Sequence, residues 1–365
     1  MPDNIPDSLV VKLGSALLID DRGDVRSTWL ASLIDDVAAL RAGGTHIIIV
    51  SSGAIALGAR RLGLADGGRA SLDDAQAAAA AGQIVLSGLY ADLLSAKGLA
   101  AAQMLVTLGD LADRRRYLNA SATLSRLLAL GAVPIINEND SVATEEIRFG
   151  DNDRLAARIA QAAGAELVVL LSNVAGLYDG DPAQAGARRI GSVEQGADIT
   201  AVLGPSTGPG SGGMAAKVEA GRIAAASGIA LAIADGRGPN PLKQYLDSGT
   251  GTLFAPADAP AARKAWLLGH LDMRGSVTID AGARDALSSG RSLLAAGITR
   301  IEGDFVRGDA IEVVGENGAK VARGLASYDA DDMRRIAGRR TNEQAVLLGY
   351  TPRAAVVHRN DMVLL

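Results

Sequence analysis

From residue 8 to about residue 255, short runs of β-branched and aliphatic residues alternate with longer stretches whose apolar positions recur at helical spacing. The runs predict strands at residues 9–13, 45–50, 100–106, 133–136, 167–171 and 229–234. The longer stretches predict helices near 28–42, 72–96, 112–130, 152–163 and 214–227. In the first of these helices Trp29, Leu30, Leu33, Ile34, Val37 and Leu40 form the apolar stripe, and Gly43-Gly44 stands where a helix ends. Strands this uniformly apolar are buried on both faces. The alternation therefore predicts an α/β fold, an open and mostly parallel sheet sandwiched by helices, with ligands outside the carboxyl ends of the strands.

The pattern changes at Ala255-Pro256-Ala257-Asp258-Ala259-Pro260-Ala261-Ala262, which reads as a linker. We divide the chain into a first domain at 1–258, a linker at 259–274 and a second domain at 275–365. The second domain shows shorter runs at 276–279, 297–301, 310–314 and 354–357 between polar turns, and predicts a small, mostly β, barrel-like unit.

Composition narrows the chemistry. The 365 residues contain no cysteine, which removes disulfides, thiolate metal sites and thiol nucleophiles. Aromatic residues make up 3%, too few for a base-stacking platform. The amino terminus carries acids and prolines where a signal peptide needs basic and then apolar residues, and no 18-residue apolar stretch is evident. A cytoplasmic protein with no membrane partner is the expectation. Residues 275–365 balance twelve Lys and Arg against twelve Asp and Glu, so nucleic acid is not the expected partner. Arg334, Arg335, Arg339 and Arg340 are a local basic cluster, read as a salt-bridged surface. Lysines are scarce: only Lys12, Lys97, Lys217, Lys243, Lys264 and Lys320 occur, so a lysine inside a motif carries weight.

Four motifs do carry chemistry. Val10-Val11-Lys12-Leu13-Gly14-Ser15 is an apolar strand with a lysine at its end, and a buried ammonium there calls for an anion such as phosphate. It is not a P-loop, because GxxxxGK[ST] is missing. Val50-Ser51-Ser52-Gly53-Ala54-Ile55 runs from a strand into a helix start, where N–H groups bind anions, although a capped turn uses the same residues. Asn137-Glu138-Asn139-Asp140 and Gly150-Asp151-Asn152-Asp153 bring carboxylates and amides to one sheet edge, joined by a segment of hairpin character. Carboxylates gathered this way serve Mg²⁺, a lysine or a substrate ammonium, and helix capping explains only part of the set. Gly204-Pro205-Ser206-Thr207-Gly208-Pro209-Gly210-Ser211-Gly212-Gly213-Met214-Ala215-Ala216-Lys217 leads glycines into a helix whose first turn holds a lysine, an arrangement suited to polyphosphate. Lys12 and Lys217 come from opposite ends of the domain and could converge on a transferring phosphoryl group.

Taken in order, these motifs resemble the glutamate 5-kinase branch of the amino acid kinase family, whose long bacterial form ends in a PUA domain. The resemblance spans nearly the whole chain and implies ATP-dependent phosphorylation of the γ-carboxylate of L-glutamate, with Mg²⁺ as the metal. It implies that Lys12 and Lys217 act on the transferred group and that Asp153 organises both lysines. Ser52, Asn137, Asp140 and Asn152 would hold glutamate. Lys12, Ser172, Asn173, Ser211, Gly212, Gly213, Met214, Ala215, Ala216 and Lys217 would line ATP. Proline as feedback inhibitor, glutamyl phosphate reductase as a partner and a homo-oligomeric assembly complete the expectation; no metal ligand is identified. The chain departs from the family at Ser172-Asn173, where Thr-Asp is frequent, and at Val174-Ala175, where a lysine precedes Gly-Leu-Tyr. Nucleotide affinity or base preference is what that departure bears on, not the reaction type.

Three other readings are open to the sequence. They are an RNA-binding or RNA-modifying PUA protein, a kinase of the same fold acting on another acceptor, and a dinucleotide-binding dehydrogenase. The last lacks the remaining glycines of GxGxxG after the first strand.

Overall fold

A computed structural model describes residues 5–20, 22–143, 151–182, 184, 186–194, 197, 211–257, 273–353 and 355–365, at 151, 211 and 212 by the backbone alone. Eight strands form the larger sheet: β1 (Ser8–Leu13), β2 (His46–Ser51), β3 (Ala101–Val106), β4 (Val133–Glu138), β5 (Leu167–Ser172), β6 (Ser192–Val193), β7 (Ala230–Asp235) and β8 (Gly251–Phe254). Their order is β3-β4-β2-β1-β5-β7-β8-β6, parallel throughout except for the antiparallel β7/β8 pair. The α/β reading holds. β1 is the switch point: β2 lies on one side of it and β5 on the other, with Lys12 in register with Val50 and Leu170. Crossovers that diverge to either side of a strand leave a crevice at its carboxyl end, so the order of the strands puts Lys12 at the mouth of that crevice.

Strand interiors are apolar because both faces are covered. Leu9, Val11 and Leu13 of β1, Ile47 and Ile49 of β2, and Val169 and Leu171 of β5 share one core with Trp29, Leu30, Leu33, Ile34 and Val37 of the helix Ser27–Ala42. Two short strands, β6 and β8, were not anticipated. β8 reads Gly-Thr-Leu-Phe and β6 only Ser-Val, too short for periodicity to register. The helix expected over 112–130 is two helices, Leu108–Ala112 and Arg114–Ala129, because Asp113 intervenes and its carboxylate accepts from the Arg116 N–H as a cap.

The helices Ala54–Leu62 and Leu72–Ser95 approach until backbone meets backbone. A Cβ at Gly58 would lie 1.7 Å from the Ala78 carbonyl oxygen, and one at Gly82 would lie 1.8 Å from that of Ala54. This crossing bears on the site, since Ala54–Leu62 starts directly after Ser52-Gly53. The helix Leu72–Ser95 also corrects the hydropathy reading: it is long and apolar enough on average to cross a membrane. Its many alanines, with aliphatic residues scattered after them, raise the mean without any long continuous run of large apolar residues. One face, including Ala75, Ala78, Gly82, Leu86, Tyr90 and Leu94, is buried in the domain.

By internal contacts the chain separates into Met1–Ala112 with Ala120–Ala257, and Asp113–Asn119 with Asp258–Leu365. Most of the linker expected at 259–274 lies outside the described residues. The second unit holds a sheet of order β10-β9-β11-β12-β13, with β9 (Gly275–Ile279), β10 (Ile298–Gly303), β11 (Ala310–Gly315), β12 (Lys320–Leu325) and β13 (Met362–Leu364). It is antiparallel apart from the β9/β11 pair. Val277, Ile279, Phe305, Ile311, Val313, Tyr328 and Met333 are in its core. The run at 354–357, expected as a strand, makes only an isolated bridge between Val357 and Leu293, and residue 354 lies outside the described residues. Val356 and Val357 are apolar because that extended segment packs into the core. β12 escaped notice because its buried positions include Ala322 and Gly324. Arg334 and Arg335 pair with Asp331 and Asp332 one turn away, the salt-bridged surface anticipated for them.

The glycine crossing gives a paired prediction. Gly82→Ala should cost at least about 2 kcal/mol of stability by overpacking, whereas Gly88→Ala, where nothing lies within 4 Å, should gain up to about 1 kcal/mol from helix propensity. Urea titration of both variants checks the sign of each.

Candidate active site

Three charged side chains meet at the carboxyl end of β1. Lys12 is the last residue but one in the buried run of that strand, and the chain turns off at Gly14. Asp153 lies in the first turn of the helix Asp151–Ala163, and Lys217 on the helix Ser211–Ala226, which packs against it. The Lys12 ammonium stands 2.5 Å from Asp153 Oδ1 and the Lys217 ammonium donates to Asp153 Oδ2 at 2.7 Å. Asp153 is fully buried, Lys12 nearly so, and the Lys217 side chain mostly so.

Electrostatics follow from that arrangement. Burial pushes the Asp153 carboxyl up, but the charges of Lys12 and then Lys217 outweigh it and hold the carboxyl below its ordinary value. Burial lowers the Lys12 ammonium below the usual lysine range; Asp153 opposes that shift and the neighbouring Lys217 adds to it. One carboxylate balances two ammonium groups, so the cluster carries a net positive charge in a water-poor place. An anion with several oxygens completes it, and a phosphate chain has the right charge and shape.

A second set of predicted residues is joined by hydrogen bonds. Asn152 Nδ2 donates to Ser52 Oγ at 2.8 Å and to Asn137 Oδ1 at 3.1 Å. Ser52 is placed by β2, whose end hands the chain to Gly53 at φ 115°, a left-handed turn that glycine accepts without strain. Its N–H donates to the Leu13 carbonyl of β1, which sets the serine beside the lysine strand. Asn137, at the end of β4, donates through Nδ2 to Gln83 Oε1 at 2.8 Å. Gln83 was missed from the sequence, because a glutamine in an alanine-rich helix looks like a surface residue. Asp140 is placed differently: it lines a cavity of about 480 Å³ together with Gln83, Glu138 and Asn139.

The expected nucleotide residues occupy two places. Ser172 ends β5 beside Asp235 of β7, accepts from the Gly236 N–H through its carbonyl, and has its hydroxyl 3.4 Å from Asn173 Oδ1. Gly213, Met214, Ala215 and Ala216 lie in the first turns of the helix that carries Lys217. The side chain of Ser211, the glycine run 204–210 and the segment around Gly150 with its expected hairpin lie outside the described residues, and of Gly212 only its place in the helix is described.

Comparison with known proteins agrees in outline. The model of the amino acid kinase family matches residues 7–235, and that of the PUA domain matches 275–345. The glutamate 5-kinase of Novosphingobium aromaticivorans is 59% identical over 363 residues, covering 98% of this chain and 96% of that protein. The glutamate 5-kinase of Sphingopyxis alaskensis is 58% identical over 360 residues, covering 98% and 97%. Among solved structures, carbamate kinase from Giardia lamblia bound to AMP-PNP aligns with a TM-score of 0.51 at 14% identity, over 68% of this chain and 98% of that one. That likeness speaks to the fold alone.

Because the Asp153 carboxyl is held below its ordinary value, its stabilising effect is full above the ordinary carboxylate pKa and is lost as pH falls through the lowered one. Asp153→Asn, which leaves two ammonium groups without their counter-charge, should cost about 3–5 kcal/mol near neutral pH. The gap to wild type should narrow in acid. Urea titrations at neutral pH and below the ordinary carboxylate range test this, and a cost under about 1 kcal/mol at neutral pH contradicts it.

Proposed function

Because the chain belongs to the glutamate 5-kinases of the amino acid kinase family, we propose that it transfers the γ-phosphoryl group of ATP to the γ-carboxylate of L-glutamate. The product is γ-glutamyl phosphate, and the reaction is the first step of proline biosynthesis. The observation that carries the reading beyond family membership is the buried pair of lysines sharing one carboxylate.

A carboxylate is already ionised near neutral pH, so the attacking oxygen needs no general base. Its oxygen bonds to the γ-phosphorus as the bond from that phosphorus to the β-bridging oxygen breaks, and ADP leaves with the electron pair. The protein has two tasks in such a transfer: alignment, and neutralisation of charge on the moving group. Lys12 and Lys217 neutralise. Asp153 holds the two ammonium groups apart and aimed, so that little reorganisation accompanies the reaction. Ser52, Asn137 and Asn152 hold the acceptor, and Asp140 is the acidic residue proposed for its ammonium. Ser172, Asn173 and the segment Ser211–Lys217 are proposed to line the nucleotide.

Mg²⁺ is proposed to arrive as the magnesium complex of ATP. Among the described residues no three His, Cys, Asp or Glu side chains gather as ligands, and Mg²⁺ in nucleotide sites is held largely by phosphate and water. Proline as inhibitor at a site overlapping that of glutamate, glutamyl phosphate reductase as the recipient of the labile product, a homo-oligomeric assembly and a cytoplasmic location are likewise proposed on family grounds. A PUA domain at 275–365 with balanced charge does not favour RNA as the substrate.

The test is MgATP-dependent hydroxamate formation in hydroxylamine, with L-glutamate compared against L-aspartate, N-acetylglutamate and no acceptor. Hydroxamate selective for glutamate is expected; ADP released only with a nucleotide acceptor overturns the reading. In the same assay Lys12→Ala and Lys217→Ala should each lower kcat by about 10²–10³. Activity within about threefold of wild type removes that lysine from the mechanism.

A further inference from the structure

We propose that Gln83 is a positioning residue for the acceptor: together with the Glu138 N–H it holds two amides so that Asn152 Oδ1 receives one N–H of the substrate's ammonium, another being left for Asp140. This rests on the reading that Ser52, Asn137 and Asn152 hold glutamate.

The hydrogen bonds are anchored at a backbone donor. The Glu138 N–H can only donate, and it lies 2.9 Å from Asn137 Oδ1, which fixes that end of the Asn137 amide as oxygen. The other end is then Nδ2, which donates to Gln83 Oε1. Gln83 is held from its far end as well. The Ser87 hydroxyl lies 2.6 Å from the Gln83 carbonyl, which can only accept, and the same oxygen receives Gln83 Nε2 at 3.3 Å. Gln103 Oε1 also lies 2.6 Å from that hydroxyl, whose single hydrogen serves one of the two oxygens at a time, so the network reaches strand β3.

Orientation is passed on toward the acceptor. Since Asn137 faces Asn152 with an oxygen, Asn152 presents Nδ2, and the same Nδ2 donates to Ser52 Oγ. What remains is Asn152 Oδ1, buried and meeting no donor among the described residues. A buried carbonyl oxygen without a donor is costly, and a bound ammonium removes that cost where a substrate lacking one does not. Sites that hydrogen-bond a substrate group reject analogues without it much more strongly than apolar pockets reject a missing methylene. Gln83 is suited to this office by its surroundings. It is 8% exposed and follows Gly82, whose backbone contact with Ala54 fixes its helix against the one that starts beside Ser52.

Gln83→Met keeps the length of the side chain and removes both amide functions. The measurement is the KM for glutamate, together with the Ki of glutarate, which has both carboxylates and no ammonium, as a competitive inhibitor. Their ratio is the selectivity for the ammonium. We expect the glutamate KM to rise at least about fivefold while the glutarate Ki and the KM for MgATP move less than about twofold. Gln83→Glu, which keeps an acceptor toward Asn137, should return the selectivity to near wild type. A purely structural role lowers Tm without changing the ratio. Selectivity within about twofold of wild type in Gln83→Met overturns the proposal. If that variant does not fold, the same limit applied to Ser87→Ala, which frees Gln83 to turn, decides it. An enzyme forming no hydroxamate with glutamate sinks the functional reading and this inference together, whereas unchanged selectivity sinks this inference alone.

Discussion

One buried carboxylate shared by two ammonium groups governs this molecule. Asp153 sits where the charge of an isolated lysine would be expelled or neutralised, and it keeps two there at 2.5 and 2.7 Å. It does not cancel them. On the reading proposed above, the remaining positive charge is what an incoming phosphate chain meets, with the geometry of its donors set before it arrives.

The fold delivers those three residues from distant parts of the chain. β1 is the first strand and the switch point of the sheet, so its carboxyl end opens on the crevice between β2 and β5. The helix that follows the Asn137–Asp140 region supplies Asp153, and the helix before β7 supplies Lys217. On the β2 side, Ser52 is held by the Leu13 carbonyl and by a helix locked to its neighbour through Gly58 and Gly82. The amide network from Gln83 to Ser52 runs beside the lysine cluster and handles a different group: the cluster favours an anion, the network leaves an acceptor for a cation.

Much of this was legible in the chain because its signals are local. Runs such as Ile47–Val50 and Val168–Leu171 have only one plausible use, and a lysine closing such a run stands out in a protein with six lysines. What sequence could not supply was pairing at a distance and the burial of polar groups. Gln83 looks like an ordinary helix residue until Asn137 is seen against it, since neither its spacing nor its neighbours announce the contact. The missed strands β6, β8, β12 and β13 fail for another reason: they are short or built on Gly and Ala, so their buried faces have little hydrophobic signal. The apolar run at 354–357 misleads in the opposite sense, because an extended segment buried in a core has a strand's composition with only a single bridge.

The most direct test of the shared carboxylate is a structure of the protein with a non-hydrolysable ATP analogue and L-glutamate bound together. The account predicts both the Lys12 and Lys217 ammonium groups within hydrogen-bonding distance of the phosphate oxygens, with Asp153 still lying between them. Phosphates seated with either lysine out of reach, or with Asp153 withdrawn from both, would contradict it.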